Sequence, residues 1–221
     1  MSDPWKKLIV ALDLTNRQKA EKIIRKLSNK IAAFKIGPIA YFKCGQKLLQ
    51  SASKNKARVF LDFKLYDIPN TMLEAAKNFI DQDIWAFTVH AKAGKEALSF
   101  LKKGLIKEAR RKKRKAPLII GVTELTSKKA SKQSVLKLAK TARDSGLDGV
   151  VCSVWEAKDI KKKYKLLTIT PGIRSKKTDD DQKRVATVSE AIKQGSDYFV
   201  VGRPIVGSRD YLKAAEELLG F

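Results

Sequence analysis

The segment LDFKLYDIPNT, residues 61–71, opens as an apolar strand and closes as the start of a helix. In extended chain, residues two apart share a face, so Asp62 and Lys64 are expected to project together. Charges on an inward face are costly to bury unless they are paired or used in chemistry. Asp67 comes at the strand end, where Ile68, Pro69 and Asn70 break the extended run. A strand with polar residues at its end, followed by a helix, is the unit that repeats along this chain.

Working outward, the other apolar strands are LIVALDL (8–14), AAFKIG (32–37), IWAFTVHA (84–91), PLIIGVTEL (117–125), GVVCSV (149–154), LLTITPGI (166–173) and DYFVVGRPI (197–205). The strand holding the opening segment runs over 58–67. Amphipathic segments follow each: one capped by Thr15 and ending near Leu27, then 39–52, 70–81, 94–112, 131–145, a short one ending near Lys163, 185–195 and 208–219. Near-continuous apolar strands alternating with helices indicate a parallel sheet covered by helices. Eight such units in 221 residues, with no linker or shift in composition, predict a single (β/α)8 barrel over 1–221. The alternative, a doubly wound open sheet, is weakened because no glycine-rich dinucleotide fingerprint follows the first strand.

Composition narrows the function classes. Hydrophobic residues make up 43% of the chain, ordinary for a globular protein, and no run approaches the ~20 apolar residues of a membrane span. The N-terminal apolar run lacks a signal-peptide pattern. The two cysteines, Cys44 and Cys152, match no metal or redox motif, and a single histidine argues against a Cys/His zinc site. A soluble, reducing, cytoplasmic setting is expected. Lys and Arg number 47 against 23 Asp and Glu, a net charge of +24. The densest basic runs, 107–115, 158–165 and Lys54, Lys56 and Arg58, fall at helix ends or just before strands. In a barrel that is the face opposite the active site, where cations complement helix C-termini. Such a face also attracts polyanions at low salt. No helix-turn-helix, zinc-finger or aromatic RNA-binding pattern accompanies it, so no specific nucleic-acid partner is expected.

Barrel active sites form at the C-terminal ends of strands. Asp13, Lys35, Asp62, Lys64, His90, Thr126, Arg174, Gly202 and Arg203 fall there. Gly202 and Arg203, on the eighth strand, suit a phosphate: glycine admits a close backbone N–H and arginine supplies a charged fork. The polar loop over about 174–187 suits a lid over an anion, with Arg174 and Gln182 as contacts, or a plain solvated loop. Lys35, Asp62, Lys64 and Asp67 form an alternating charged array in which a lysine could deliver a proton; an isolated ion pair is the bland alternative. His90 is either a general base or a hydrogen-bonded rim histidine. Trp5, Trp85 and Trp155 are expected to be packing residues.

Seven motifs together resemble the orotidine 5′-phosphate decarboxylase family, in its short prokaryotic form, over essentially the whole chain. They are ALDL (11–14), FKIGP (34–38), LDFKLYDIPNT (61–71), VTELTS (122–127), TPGIR (170–174), DDQKRVAT (180–187) and VVGRPI (200–205). The D-x-K-x-x-D core is shared with sugar-phosphate decarboxylases and synthases; the IPNT tail and the lid motif narrow the match. The resemblance implies a homodimeric barrel converting orotidine 5′-monophosphate (OMP) to UMP and CO2 without metal or organic cofactor. It makes Lys64 the proton donor to C6, sets Asp62 against the departing carboxylate, and has Lys35 and Asp67 complete the array. Asp67, Ile68 and Thr71 would reach across the dimer. Asp13 and Lys35 would hold ribose hydroxyls, Thr126 the pyrimidine edge, and Gln182, Gly202 and Arg203 the phosphate, with Arg174 at the lid base. The rival readings are a metal-dependent sugar-phosphate enzyme of the same superfamily and a polyanion-binding barrel.

Overall fold

The computed structural model describes residues 3–125, 130–174 and 186–221. Its strands are β1 (Leu8–Ala11), β2 (Ala33–Ile36), β3 (Val59–Leu65), β4 (Ala86–His90), β5 (Leu118–Val122), β6 (Gly149–Val151), β7 (Leu167–Thr170) and β8 (Tyr198–Val201). Each pairs in parallel with the next, and β8 returns to β1, closing the expected barrel. The α-helices are α1 (Arg17–Leu27), α2 (Pro38–Cys44), α3 (Gln46–Lys54), α4 (Pro69–Asp81), α5 (Gly94–Arg111), α6 (Lys132–Asp144), α7 (Val154–Tyr164), α8 (Val188–Lys193), α9 (Arg203–Val206) and α10 (Tyr211–Leu219), with short 3-10 turns at Pro4–Lys7 and Ala91–Ala93.

Strand alternation produces two cores. Ile9, Phe60, Ala86, Ile120, Ile169 and Val200 fill the barrel interior. Their neighbours Leu8, Val10, Phe34, Leu61, Phe87 and Phe199 point outward against the helices. The helices meet that layer with stripes at helical spacing, as in α1, which buries Ala20, Ile23, Ile24 and Leu27. Trp85 closes the lower end of the interior, edge-on to both Phe60 and Tyr198. An apolar plug therefore supports whatever lies above it at the strand ends.

Several local expectations are corrected. The N-cap of α1 is Asn16, not Thr15; its side chain accepts from the Lys19 amide at 2.9 Å. The single helix over 39–52 is two helices, split at Gly45, whose φ of 62° only glycine adopts readily. The eighth strand stops at Val201, so Gly202 caps α9 and Arg203 is its first residue rather than a strand residue. Trp155 is 42% exposed and is not a packing residue of the core. The basic runs lie where expected, beside the C-termini of α3, α5 and α7 and the starts of the following strands. Lys56, Lys113 and Lys165 even occupy left-handed positions there, with φ of 53°, 53° and 56°.

Two glycines separate backbone crowding from side-chain crowding. A Cβ on Gly149 would lie 2.7 Å from the Leu167 carbonyl oxygen, fixed in the neighbouring strand. A Cβ on Gly104 would lie 2.5 Å from a Leu73 methyl, which can turn away. Gly149→Ala should cost about 1–3 kcal/mol of stability. Gly104→Ala should stay within about 1 kcal/mol of wild type, because alanine favours the helix by a similar amount. Urea denaturation of both variants checks this, and equal losses would contradict it.

Candidate active site

Polar residues at the strand ends surround a cavity of about 450 Å³ above the plug. Asp13, Lys35, Asp62 and Lys64 form one wall, and Arg174, Gly202 and Arg203 line the side formed by the last two strands. Glycine at position 37 leaves space for the first wall, since a Cβ there would sit 3.3 Å from Asp13 Oδ1. At Gly202 an added Cβ would meet Ala11 at an ordinary 3.5 Å, so packing against β1 does not demand glycine there.

The charged wall is one connected network. Lys35 Nζ donates to both Asp13 oxygens at 3.0 and 3.1 Å and lies 3.4 Å from Asp62 Oδ2. Lys64 Nζ lies 2.9 Å from Asp62 Oδ1. The Thr88 hydroxyl donates to the same oxygen at 3.0 Å and accepts from the Lys64 amide at 2.8 Å. Asp62 and Lys64 do converge, but not by simple alternation. Pairing of β3 with β4 jumps from Leu61↔Phe87 to Leu65↔Val89, so the chain bulges over residues 62–64. Lys64 takes a left-handed φ of 50° in that bulge. A non-glycine residue held so costs on the order of 1–3 kcal/mol, and such strain gathers at functional sites.

Burial would raise the pKa of Asp62, whose side chain is 14% exposed. The Lys35 and Lys64 ammoniums, with hydrogen bonds from Lys64 and Thr88, outweigh it and hold the carboxyl below its ordinary range. Asp62 is thus a carboxylate at neutral pH. His90 is pushed down from its usual value, by burial first and then by the nearby Lys92 charge, with Lys64 adding to it against Glu124. Its Nδ1 accepts from the Lys92 amide at 3.3 Å, and its ring packs 5.5 Å from Tyr66. That arrangement is the hydrogen-bonded rim histidine rather than a base facing the cavity.

Other expected site residues are placed differently. Asp67, Ile68 and Thr71 are exposed on this chain and do not line the cavity. The Asp67 carboxylate accepts from the Ile68 amide at 2.7 Å. Thr126 and Gln182 lie outside the described residues, as does most of the expected lid over 174–187. The described ends of that segment are joined: Arg174 N–H donates to the Ala186 carbonyl at 2.9 Å, within a bridge between Ile173 and Ala186.

Two residues at the site were not singled out from sequence. Thr88 resembles any β-branched strand residue. Glu124 lines the cavity, and its carboxylate, pulled down chiefly by Lys92 and then by Ser134, bonds them at 2.8 and 2.6 Å. Among the described residues, no three of His, Cys, Asp and Glu gather as a metal ligand set.

Comparison with known proteins bears directly on this site. The family model described as "Orotidine 5'-phosphate decarboxylase / HUMPS family" matches residues 6–218. A protein of Carboxydothermus hydrogenoformans named orotidine 5′-phosphate decarboxylase is 41% identical, covering 96% of this chain and 94% of its own length. One of the same name from Syntrophus aciditrophicus is 37% identical, covering 96% of this chain and 90% of its own. The crystal structure of orotidine 5′-phosphate decarboxylase from Lactobacillus acidophilus superposes with a TM-score of 0.81 at 34% identity, covering 96% of each chain.

The depressed Asp62 pKa carries a stability signature. A carboxylate whose pKa is lowered on folding stabilises the fold above its unfolded value, here near 3.8, and loses that contribution as pH falls through the lower folded value. Asp62→Asn should therefore flatten the stability decline below pH ~4 relative to wild type. Denaturation midpoints measured from pH 6 to 3 test it; parallel curves for the two proteins would refute it.

Proposed function

Because the chain belongs to the orotidine 5′-phosphate decarboxylase / HUMPS family, we propose that it converts OMP to UMP and CO2 in pyrimidine biosynthesis. The observation that carries this reading is the Lys35–Asp62–Lys64 array on one wall of a cavity that Arg203 also lines. The similar proteins named for this reaction favour OMP over a sugar phosphate as substrate.

The chemistry needs what the array offers. Breaking the bond between C6 and the carboxylate leaves its electron pair on C6, on a ring with no electron sink at that carbon. The Lys64 ammonium stabilises this developing charge and then gives C6 its proton, becoming a neutral amine that solvent reprotonates. The array is held by contacts within the protein itself, so little reorganisation is needed as charge develops. Asp62, held ionised, lies against the substrate carboxylate and disfavours the bound ground state. Asp13 and Lys35 hold the ribose hydroxyls, and Thr126 the pyrimidine edge. Gly202, Arg203 and Gln182 bind the phosphate, with Arg174 at the base of a lid over 174–187. Binding of the remote phosphate favours closure and offsets the cost at the reacting carbon. No metal or organic cofactor enters these steps.

The active unit is a homodimer in which the partner's copies of the exposed segment 67–71 complete each site. In support, Tyr66 and Ile68 are 63% and 65% exposed, and Phe42 is 85% exposed. Large apolar groups so open to water mark a contact surface. The buried thiols of Cys44 and Cys152 suit a reducing, cytoplasmic setting. Among the described residues no helix is long and apolar enough to cross a membrane.

Lys64→Ala should lower kcat for OMP by at least about 10²–10⁴-fold while the far-UV circular dichroism stays native. Near-wild-type turnover would remove Lys64 as the proton donor. Mixing Lys64→Ala with Asp67→Asn should restore roughly a quarter of wild-type activity, since half the dimers are mixed and each holds one intact site. No recovery despite mass-confirmed heterodimers would contradict a shared site.

A further inference from the structure

We propose that Thr88 is a positioning residue for decarboxylation, its hydroxyl holding both members of the Asp62–Lys64 pair in the geometry the reaction uses. The inference rests on the decarboxylase reading and extends it to a residue that does not itself touch substrate. Thr88 is fully buried on β4, one layer above Ala86 of the apolar plug.

Its hydrogen bonding is determined by simple inventory. A hydroxyl has one proton and two lone pairs, an ionised carboxylate only accepts, and a backbone amide only donates. Thr88 Oγ1 lies 3.0 Å from Asp62 Oδ1 and 2.8 Å from Lys64 N. Its proton must therefore go to Asp62 and a lone pair to Lys64. Neither bond is available from the strand ladder. Between Leu61↔Phe87 and Leu65↔Val89, β3 spends four residues where β4 spends two, so normal pairing lapses across 62–64. The Thr88 side chain supplies the Lys64 amide with the acceptor that the bulge removes.

The consequence reaches the reacting atom. With φ at 50°, Lys64 occupies a conformation that a non-glycine residue keeps only when its surroundings enforce it. In that conformation its Nζ returns to within 2.9 Å of Asp62 Oδ1, the same oxygen that Thr88 bonds. One hydroxyl thus fixes the backbone that aims the ammonium and the carboxylate that receives it. Removing it frees the bulge and loosens the aim of Nζ, while the ribose and phosphate contacts on other strands stay in place.

Thr88→Val keeps the shape and deletes the hydroxyl; Thr88→Ser keeps the hydroxyl and deletes the methyl. Steady-state kinetics with OMP and calorimetric titration with UMP separate positioning from folding. For Thr88→Val, UMP should bind with wild-type stoichiometry and affinity while kcat falls on the order of 10²-fold, the scale of a misplacement near 1 Å. Thr88→Ser should recover kcat to within about threefold of wild type, the hydroxyl being restored. Wild-type kcat in Thr88→Val, a serine variant as impaired as the valine one, or joint loss of UMP binding and turnover would each overturn the inference. A wild-type chain that binds UMP but does not decarboxylate OMP would instead overturn the decarboxylase reading, and this role with it.

Discussion

One largely enclosed carboxylate, Asp62, between two ammoniums is the interaction on which this structure turns. Asp62 lies 2.9 Å from Lys64 Nζ and 3.4 Å from Lys35 Nζ, with Asp13 holding Lys35 from the other side. Removing Asp62 would leave the Lys35 ammonium, 14% exposed, without its inner partner in a poorly solvated place. The network joins the segment after β1 to the ends of β2 and β3, and Thr88 ties it to β4. Four consecutive units of the barrel are thereby committed to one geometry, and the bulge in β3 is the distortion that permits it.

The rest of the fold separates charge by place. Below the network, the interior is an apolar plug of Ile9, Phe60, Ile120, Ile169 and Val200 closed by Trp85. Above it, Arg174 and Arg203 line the same cavity as Lys64. Much of the net charge of +24 comes from the basic runs on the opposite face, at the helix C-termini. There Lys112 pairs with Asp81, and Lys161 with Asp197. Lys56, Lys113 and Lys165 follow α3, α5 and α7, where cations complement the helix C-terminal dipoles.

Much of this was legible in the residues. Apolar runs alternating with amphipathic ones specify a parallel barrel, because each strand must be covered on both faces. Polar residues concentrated at strand ends then locate the site, and Asp13, Lys35, Asp62, Lys64, Arg174, Gly202 and Arg203 do meet around one cavity. Features that depend on backbone departures were not legible. The break at Gly45 and the helical start at Arg203 interrupt patterns that look continuous in sequence. Period-two reasoning brought Asp62 and Lys64 together for the wrong reason, since the bulge and a left-handed lysine do so instead. Thr88 and Glu124 carry no local signal, because a threonine in a strand and a glutamate after one are common, and only neighbours distant in sequence give them meaning.

In the proposed mechanism this network performs a decarboxylation with side chains alone. Turnover of OMP by the purified wild-type chain in excess EDTA tests it most directly, with UMP and CO2 quantified together. Equal yields of UMP and CO2, at a rate unchanged by the chelator, are the result expected. Absence of UMP, or activity that appears only when a divalent cation is restored, would contradict it and favour a metal-dependent sugar-phosphate enzyme on the same barrel.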